Sequence, residues 1–254
     1  MRWDAASVLR VTHRHERKRR PRLGYAHAVT ERLPLFPLGT VLFPGLVLPL
    51  HVFEERYRTL VRHLVDQPEG TPREFGVVAI QRGWEVDHHT GSSASLTLHE
   101  IGCSAQIRQL TEHPDGRFDL VTVGHRRFRI AEVDPRSQPY LTASVEWLDE
   151  PEGRPGEADL LTPAVLDLFQ RYLRLVRPDQ EGEQVPEDPA VLSHLVAATT
   201  ALSLTDRQAL LATPDTASRL RAERALLGRE VALLARVRAV PVPLAELAVA
   251  TSPN

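Results

Sequence analysis

Residues 33–50 read Leu33-Pro34-Leu35-Phe36-Pro37-Leu38-Gly39-Thr40-Val41-Leu42-Phe43-Pro44-Gly45-Leu46-Val47-Leu48-Pro49-Leu50, and this stretch decides the fold. It holds two short apolar runs, 33–38 and 46–50, each broken by proline. Proline lacks the backbone donor and clashes inside a helix, so both runs fit edge strands or strand ends. Phe43-Pro44-Gly45 between them is a turn, with proline where φ near −65° is wanted. Two short strands around a tight turn announce a β-rich region.

Reading outward, residues 54–65 carry Tyr57, Leu60, Val61, Leu64 and Val65 at helical spacing, so one amphipathic helix is inserted here. Gln67-Pro68-Glu69-Gly70 ends it. Residues 75–81 form a continuous apolar strand, best explained by burial on both faces. Residues 83–95 are polar and rich in Gly and Ser, hence a loop, and 96–110 are extended. His113-Pro114-Asp115-Gly116 is a tight turn into 118–123, where Phe118, Leu120 and Thr122 alternate with Asp119 and Val121, a hairpin signature. In 126–133, Phe128, Ile130 and Val133 face inward and Arg127, Arg129 and Glu132 outward. In 140–147, Leu141, Ala143, Val145 and Trp147 face inward. Six or so strands, one helix and short turns suggest a small closed or half-closed barrel.

Residues 151–156, Pro-Glu-Gly-Arg-Pro-Gly, read as a linker, and the rest is helical. Thr162-Pro163, Asp188-Pro189 and Thr213-Pro214 each read as an N-cap followed by proline at a helix start. Ser203 with Asp206 resembles a capping arrangement. The core stripes are Val165, Leu168, Phe169, Tyr172 and Val176, then Val191, Leu192, Leu195 and Val196, then Leu210 and Leu211. Leu220, Leu227, Val231, Leu234 and Val237 follow on the last helix. The expected organisation is a basic, disordered leader at 1–31, a β-barrel subdomain at 32–150, the linker, a helical subdomain at 157–240 and a flexible tail at 241–254. The class is α+β.

Composition narrows the chemistry. Of 31 basic residues only Lys18 is lysine, in the basic run His13-Arg14-His15-Glu16-Arg17-Lys18-Arg19-Arg20-Pro21-Arg22. A phosphate loop of the form G-x-x-x-x-G-K-[ST] is therefore absent, and a Ser–Lys dyad has no lysine in a folded region. Cys103 stands alone, which excludes an internal disulfide and zinc sites of paired cysteines. No apolar run approaches the ~20 residues that span a bilayer. Residues 1–32 carry +6 and the whole chain −2, so residues 33–254 carry −8.

The chain resembles the N-terminal substrate-recognition domain of Lon proteases in its stand-alone form. The opening stretch is similar to that family's LPLxPLxxxVxFPGxxxPL. Glu100-Ile101-Gly102-Cys103-Ser104-Ala105-Gln106-Ile107 resembles its xxGTxAxI strand, with Cys103 where threonine is common. Asp115-Gly116 and Gly124-His125-Arg126-Arg127-Phe128-Arg129-Ile130 resemble its DG…GxxRxxI hairpin. Leu202-Ser203-Leu204-Thr205-Asp206-Arg207-Gln208-Ala209-Leu210-Leu211 resembles its LPLSxxxKQxLL helix. The resemblance covers about residues 32–240. It implies a six-stranded PUA-like pseudo-barrel with one inserted helix and a C-terminal helical bundle. It also implies a cytoplasmic, non-catalytic module, without cofactor, that recognises unfolded or tagged protein segments and acts as adaptor or regulator of a separate protease. Cereblon-type relatives carry CxxC pairs that one cysteine cannot supply.

Trp84-Glu85-Val86-Asp87-His88-His89, with His99 and Cys103, has ligand types, but adjacent residues of an extended loop point apart, so no metal is expected. Glu54 and Glu55 begin a helix, where carboxylates serve the dipole, so no catalytic residue is expected. His125-Arg126-Arg127-Phe128-Arg129 looks like a nucleic-acid strand and, with the basic leader, supports an alternative as a PUA-like RNA binder. The −8 on residues 33–254 opposes it. Phe36, Phe43, Leu46 and Trp84 lie at or beside turns and are the expected partner-binding residues, the competing reading being that they are core.

Overall fold

The computed structural model describes residues 31–82, 96–178 and 184–237. Among them the elements run β1 (Glu31–Leu38), β2 (Val47–Val52), α1 (Glu55–Val65), β3 (Glu74–Arg82), β4 (Thr97–Leu98), β5 (Ile101–Glu112), β6 (Phe118–Asp134) and β7 (Thr142–Trp147). Four helices follow: α2 (Glu157–Val176), α3 (Pro189–Thr199), α4 (Leu204–Ala212) and α5 (Thr216–Val237). The architecture is mixed α/β, with a mainly antiparallel sheet and five helices among the described residues. Two units divide it. The first takes the chain through Asp149 together with Leu204–Ala212, and the second takes Glu150–Ser203 and the residues from Thr213 onward.

In the first unit, β1 changes partner midway. Residues 31–34 run antiparallel to β7, and residues 35–38 run parallel to β3. With the β7–β6, β6–β5 and β5–β3 pairings, the path returns to its start as a ring of five strands. β2 adds to β6 and β4 to β3 outside that ring. The opening strand thus bridges β7 and β3, yet at each proline it keeps the one-sided, edge-like pairing expected of it. Each half has one strand neighbour, so the donors missing at Pro34 and Pro37 need not interrupt a ladder. β2 does fit the expectation: β6 is its strand partner, and it tolerates Pro49.

The ring is filled by Leu33, Leu35, Val78, Phe128, Ala143 and Val145. β3 buries six consecutive residues, as its unbroken apolar run requires. Helix α1 buries Tyr57, Leu60, Val61 and Leu64 of the expected stripe and leaves Val65 half-buried, and Tyr57 stacks on Phe36 with ring centroids 4.0 Å apart.

Residues 118–134 form one long strand instead of two, with irregularities that let it serve β2, β5 and β7 in turn. The expected alternation fails at Arg127, which is 1% exposed beside the equally buried Phe128. Val133, expected inside, is exposed. The cause at Arg127 is α4. Arg127 Nη1 donates to the Leu211 carbonyl at 2.6 Å, and Gln208 Nε2 donates to the Ile101 carbonyl at 2.9 Å. Helix α4 thus groups with the strands, although the sequence places it within the helical 157–240 segment.

The second unit buries Val165, Phe169 and Tyr172 of α2, Leu192, Leu195 and Val196 of α3, and Leu220, Leu227, Val231 and Leu234 of α5. Val191, expected in the core, is half exposed. Asp188 caps α3 as expected, its Oδ1 accepting from the Ala190 and Val191 amides at 3.0 Å, with Pro189 in the first turn. Two starts fall elsewhere. Helix α2 begins at Glu157 after a left-handed Gly156, so Pro163 lies inside it and Thr162 Oγ1 donates back to the Ala158 carbonyl. Helix α5 begins after Asp215, whose carboxylate accepts from the Ser218 amide at 2.8 Å. The Pro151 and Glu152 carbonyls accept from the Thr216 and Ala217 amides, so residues of the expected linker satisfy first-turn donors of α5.

Candidate functional site

The Phe43-Pro44-Gly45 turn is built from three hydrogen bonds. Leu46 N donates to the Phe43 carbonyl at 3.2 Å, closing a turn with Pro44 and Gly45 at its centre. Gly45 has φ +79°, the left-handed value that a type II turn demands at this place. Gly45 N donates to the Gly124 carbonyl and Gly124 N to the Leu46 carbonyl, both at 2.8 Å. A side chain at Gly124 would overlap the Phe43 carbonyl oxygen, so only glycine lets the turn sit flat on β6. The turn hands the chain to β2, which lies along β6 in the register Leu48 to Thr122, Leu50 to Leu120 and His51 to Asp119.

Two of the four expected contact residues are core. Phe36 is 6% exposed and Phe43 0%, so neither side chain has surface to offer a partner. Phe36 is spent on stacking with Tyr57 and on Phe75, 5.7 Å away. Leu46 is half-buried and remains available. Trp84 lies outside the described residues, as does the whole 84–89 segment with His88 and His89.

The structure offers other apolar surface beside Leu46. Leu48 and Leu50 share one face of β2 with Val52, and both stay half-buried where Val52 is buried. Leu110 of β5, paired with Leu120 of β6, is half-buried too. Phe53, just past β2, is 51% exposed, the most exposed aromatic among the described residues of the first unit. Among the described residues, β2 pairs on one side only, so its other edge presents backbone donors and acceptors except where Pro49 interrupts them. The residues sequence reasoning missed, Leu48, Leu50 and Phe53, were hidden because alternation alone does not tell a filled strand face from a partly open one.

The charged motifs resolve into structural roles. Glu54 pairs with Arg56 at 2.9 Å and Glu55 with Arg58 at 3.0 Å around the start of α1. In the 125–129 run, His125 meets Glu74 at 3.0 Å, and the Arg126 guanidinium lies 4.3 Å from the Trp147 ring centre. Arg127 is buried and Arg129 faces Glu146 at 4.0 Å. Cys103 is buried within β5.

On the opposite face of the same strands lies a cluster no linear motif shows. Asp119 Oδ1 is 2.6 Å from His51 Nδ1, and its Oδ2 is 2.7 Å from His113 Nε2. Hydrogen bonds from His51 first, then His113, hold the Asp119 carboxyl below its ordinary value. His51 and Asp119 are cross-strand partners 68 residues apart in sequence, so only the β2–β6 register brings them together.

Comparison with known proteins gives a consistent relationship. Residues 32–229 match the family described as the ATP-dependent protease La (LON) substrate-binding domain. Lon protease 2 of Herpetosiphon aurantiacus is 29% identical over 212 residues, covering 82% of this chain and 25% of that protein. Lon protease 1 of Thermus thermophilus is 31% identical over 207 residues, covering 78% and 25% respectively. The chain thus spans about a quarter of the length of the curated relatives it matches. The crystal structure of a Lon N-terminal domain protein from Xanthomonas campestris superposes with a TM-score of 0.54 at 28% identity, covering 78% of this chain and 98% of that one.

Proposed function

The chain belongs to the LON substrate-binding domain family, and from that premise we propose that it is a non-catalytic protein-recognition module. It binds exposed apolar or unfolded protein segments and acts as an adaptor or regulator for a separate protease in the cytoplasm, without a cofactor. The observation that carries this reading is the one-sided β2. Its open edge supplies main-chain hydrogen bonds to an extended segment, and Leu46, Leu48, Leu50 and Phe53 supply apolar contacts beside it. Main-chain pairing is indifferent to sequence, which suits a module meeting many clients. The closed path of five strands, one fewer than the six expected, supports a pseudo-barrel of the PUA-like type, and the grouping of α2, α3 and α5 in the second unit supports the helical-bundle reading. None of the described helices is long and apolar enough to cross a membrane.

The test is retention of a permanently unfolded polypeptide by the full chain at low and high salt. Apolar and main-chain recognition is insensitive to salt, and Phe53→Ser weakens it. Retention of RNA alone, lost as salt rises, would overturn the reading. The basic strand argues against that outcome, because His125, Arg126, Arg127 and Arg129 are each engaged by groups of this chain.

A further inference from the structure

We propose that His51, His113 and Asp119 form a binding site for one divalent transition-metal ion of the zinc, copper or nickel class. This goes beyond the recognition reading and does not rest on it. Two imidazole nitrogens and a carboxylate oxygen lie within 4.8 Å of one another, so modest side-chain rotation brings all three onto one ion.

The backbone holds the three residues in place. His51 and Asp119 face each other across the β2–β6 ladder. His113 is fixed by its own amide, which donates to the Arg117 carbonyl at 2.8 Å and closes the β5–β6 hairpin. The ligands therefore come from three rigid points, and little chain ordering remains to oppose binding. Asp119 spans the two rings, one oxygen to each, so its charge is already centred between the nitrogens.

Donor chemistry selects the ion. Two imidazoles and one carboxylate suit zinc, copper or nickel, whereas calcium takes six to eight oxygens and magnesium an octahedral oxygen shell. All three side chains are about a third to a half exposed, which leaves the remaining coordination position open to water or to a donor from another molecule. Arg117 opposes the ion, its Nη1 lying 3.5 Å from His51 Nε2. That nitrogen is not the one facing Asp119, and Arg117 Nε is held by Asp115 at 2.7 Å.

The experiment is calorimetric titration of the full chain with zinc chloride, alongside the visible absorption of bound cobalt. We expect one ion per chain at this site. His51→Ala and His113→Ala each weaken binding by at least about tenfold, since loss of even an outer partner of a metal ligand acts on a 10–100-fold scale. Both side chains are partly exposed and neither belongs to the core, so both variants fold, which far-ultraviolet dichroism checks. A His88→Ala, His89→Ala double variant keeps the affinity. Unchanged affinity in the His51 and His113 variants overturns the proposal, as does dependence on His88 and His89. Absence of heat and of a cobalt band at about 1 mM metal, the weak limit of useful affinity, also overturns it.

Discussion

Arg127 of β6 reaches through the interior of the first unit to the carbonyl oxygen of Leu211, one residue from the end of α4, at 2.6 Å. That carbonyl belongs to the last turn of a helix, where oxygens lack internal partners and the dipole is negative. A second contact, Nη2 to the Asp149 carbonyl at 3.3 Å, uses the other arm of the guanidinium. One buried cation thus fastens both a helix end and the end of the first unit's main segment. Arg127→Ala should cost on the order of 3 kcal/mol, because hydrogen bonds from charged groups contribute about 1.5–3 kcal/mol and their loss strands buried carbonyls. Arg127→Lys should recover only part of it, since an ammonium cannot fork. Guanidinium unfolding measures both.

The flat contact between the opening turn and β6 ranks two glycine substitutions. Gly124→Ala drives a methyl into the Phe43 carbonyl, which is backbone and cannot swing aside. Gly45→Ala meets no neighbouring atom but is strained by its φ of +79°, a cost of about 1 kcal/mol. Thermal denaturation should therefore show a much larger drop for Gly124→Ala than for Gly45→Ala.

Helix α5 buries the carboxylate of Glu223, whose two oxygens have no hydrogen-bond partner among the described residues. Burial pushes its pKa well above the ordinary 4.5, against a smaller downward pull from Arg219. The folded chain then holds a proton that the unfolded chain releases near pH 4.5, so stability from this group is full below that value and lost as pH rises through the folded value. Glu223→Gln should leave stability unchanged below pH 4.5 and raise the melting temperature at neutral pH. Each 1 kcal/mol gained corresponds to about 2–4 °C in a chain of this size.

Surface and core aromatics should separate in one binding assay. Phe53→Ser removes an exposed ring and should weaken capture of unfolded polypeptide by roughly tenfold, about 1.4 kcal/mol, without shifting the melting temperature. Phe43→Ala empties a fully buried site and should cost about 3–5 kcal/mol of stability. A Phe53 variant that binds normally would move the recognition surface away from β2.

What the sequence revealed was local. The Phe43-Pro44-Gly45 turn, the buried run of β3, the α1 stripe and the Asp188-Pro189 cap each depend on neighbours within a few residues, and each stands in the structure. What it concealed was set by distant partners. Arg127 reads as an outward residue until α4, more than 75 residues later, covers it. Thr162-Pro163 reads as a helix start because a proline is cheapest there, yet the helix begins near Gly156 and absorbs the proline. Phe36 and Phe43 read as surface because they flank turns, while α1 and β6 close over them. The His51–Asp119–His113 cluster has no linear signature at all.

The ring of strands also imposes an order of events during synthesis. β1 emerges early, but its antiparallel partner β7 follows about 110 residues later, as the Arg32–Thr142 contact measures. At roughly 5–20 residues per second a ribosome needs about 5–20 s to deliver it. Throughout that interval Leu33 and Leu35 on the nascent chain have no β7 to close against. A ribosome stalled before Trp147 would hold out an apolar, strand-ready segment of the same chemistry that the folded β2 edge is proposed to capture.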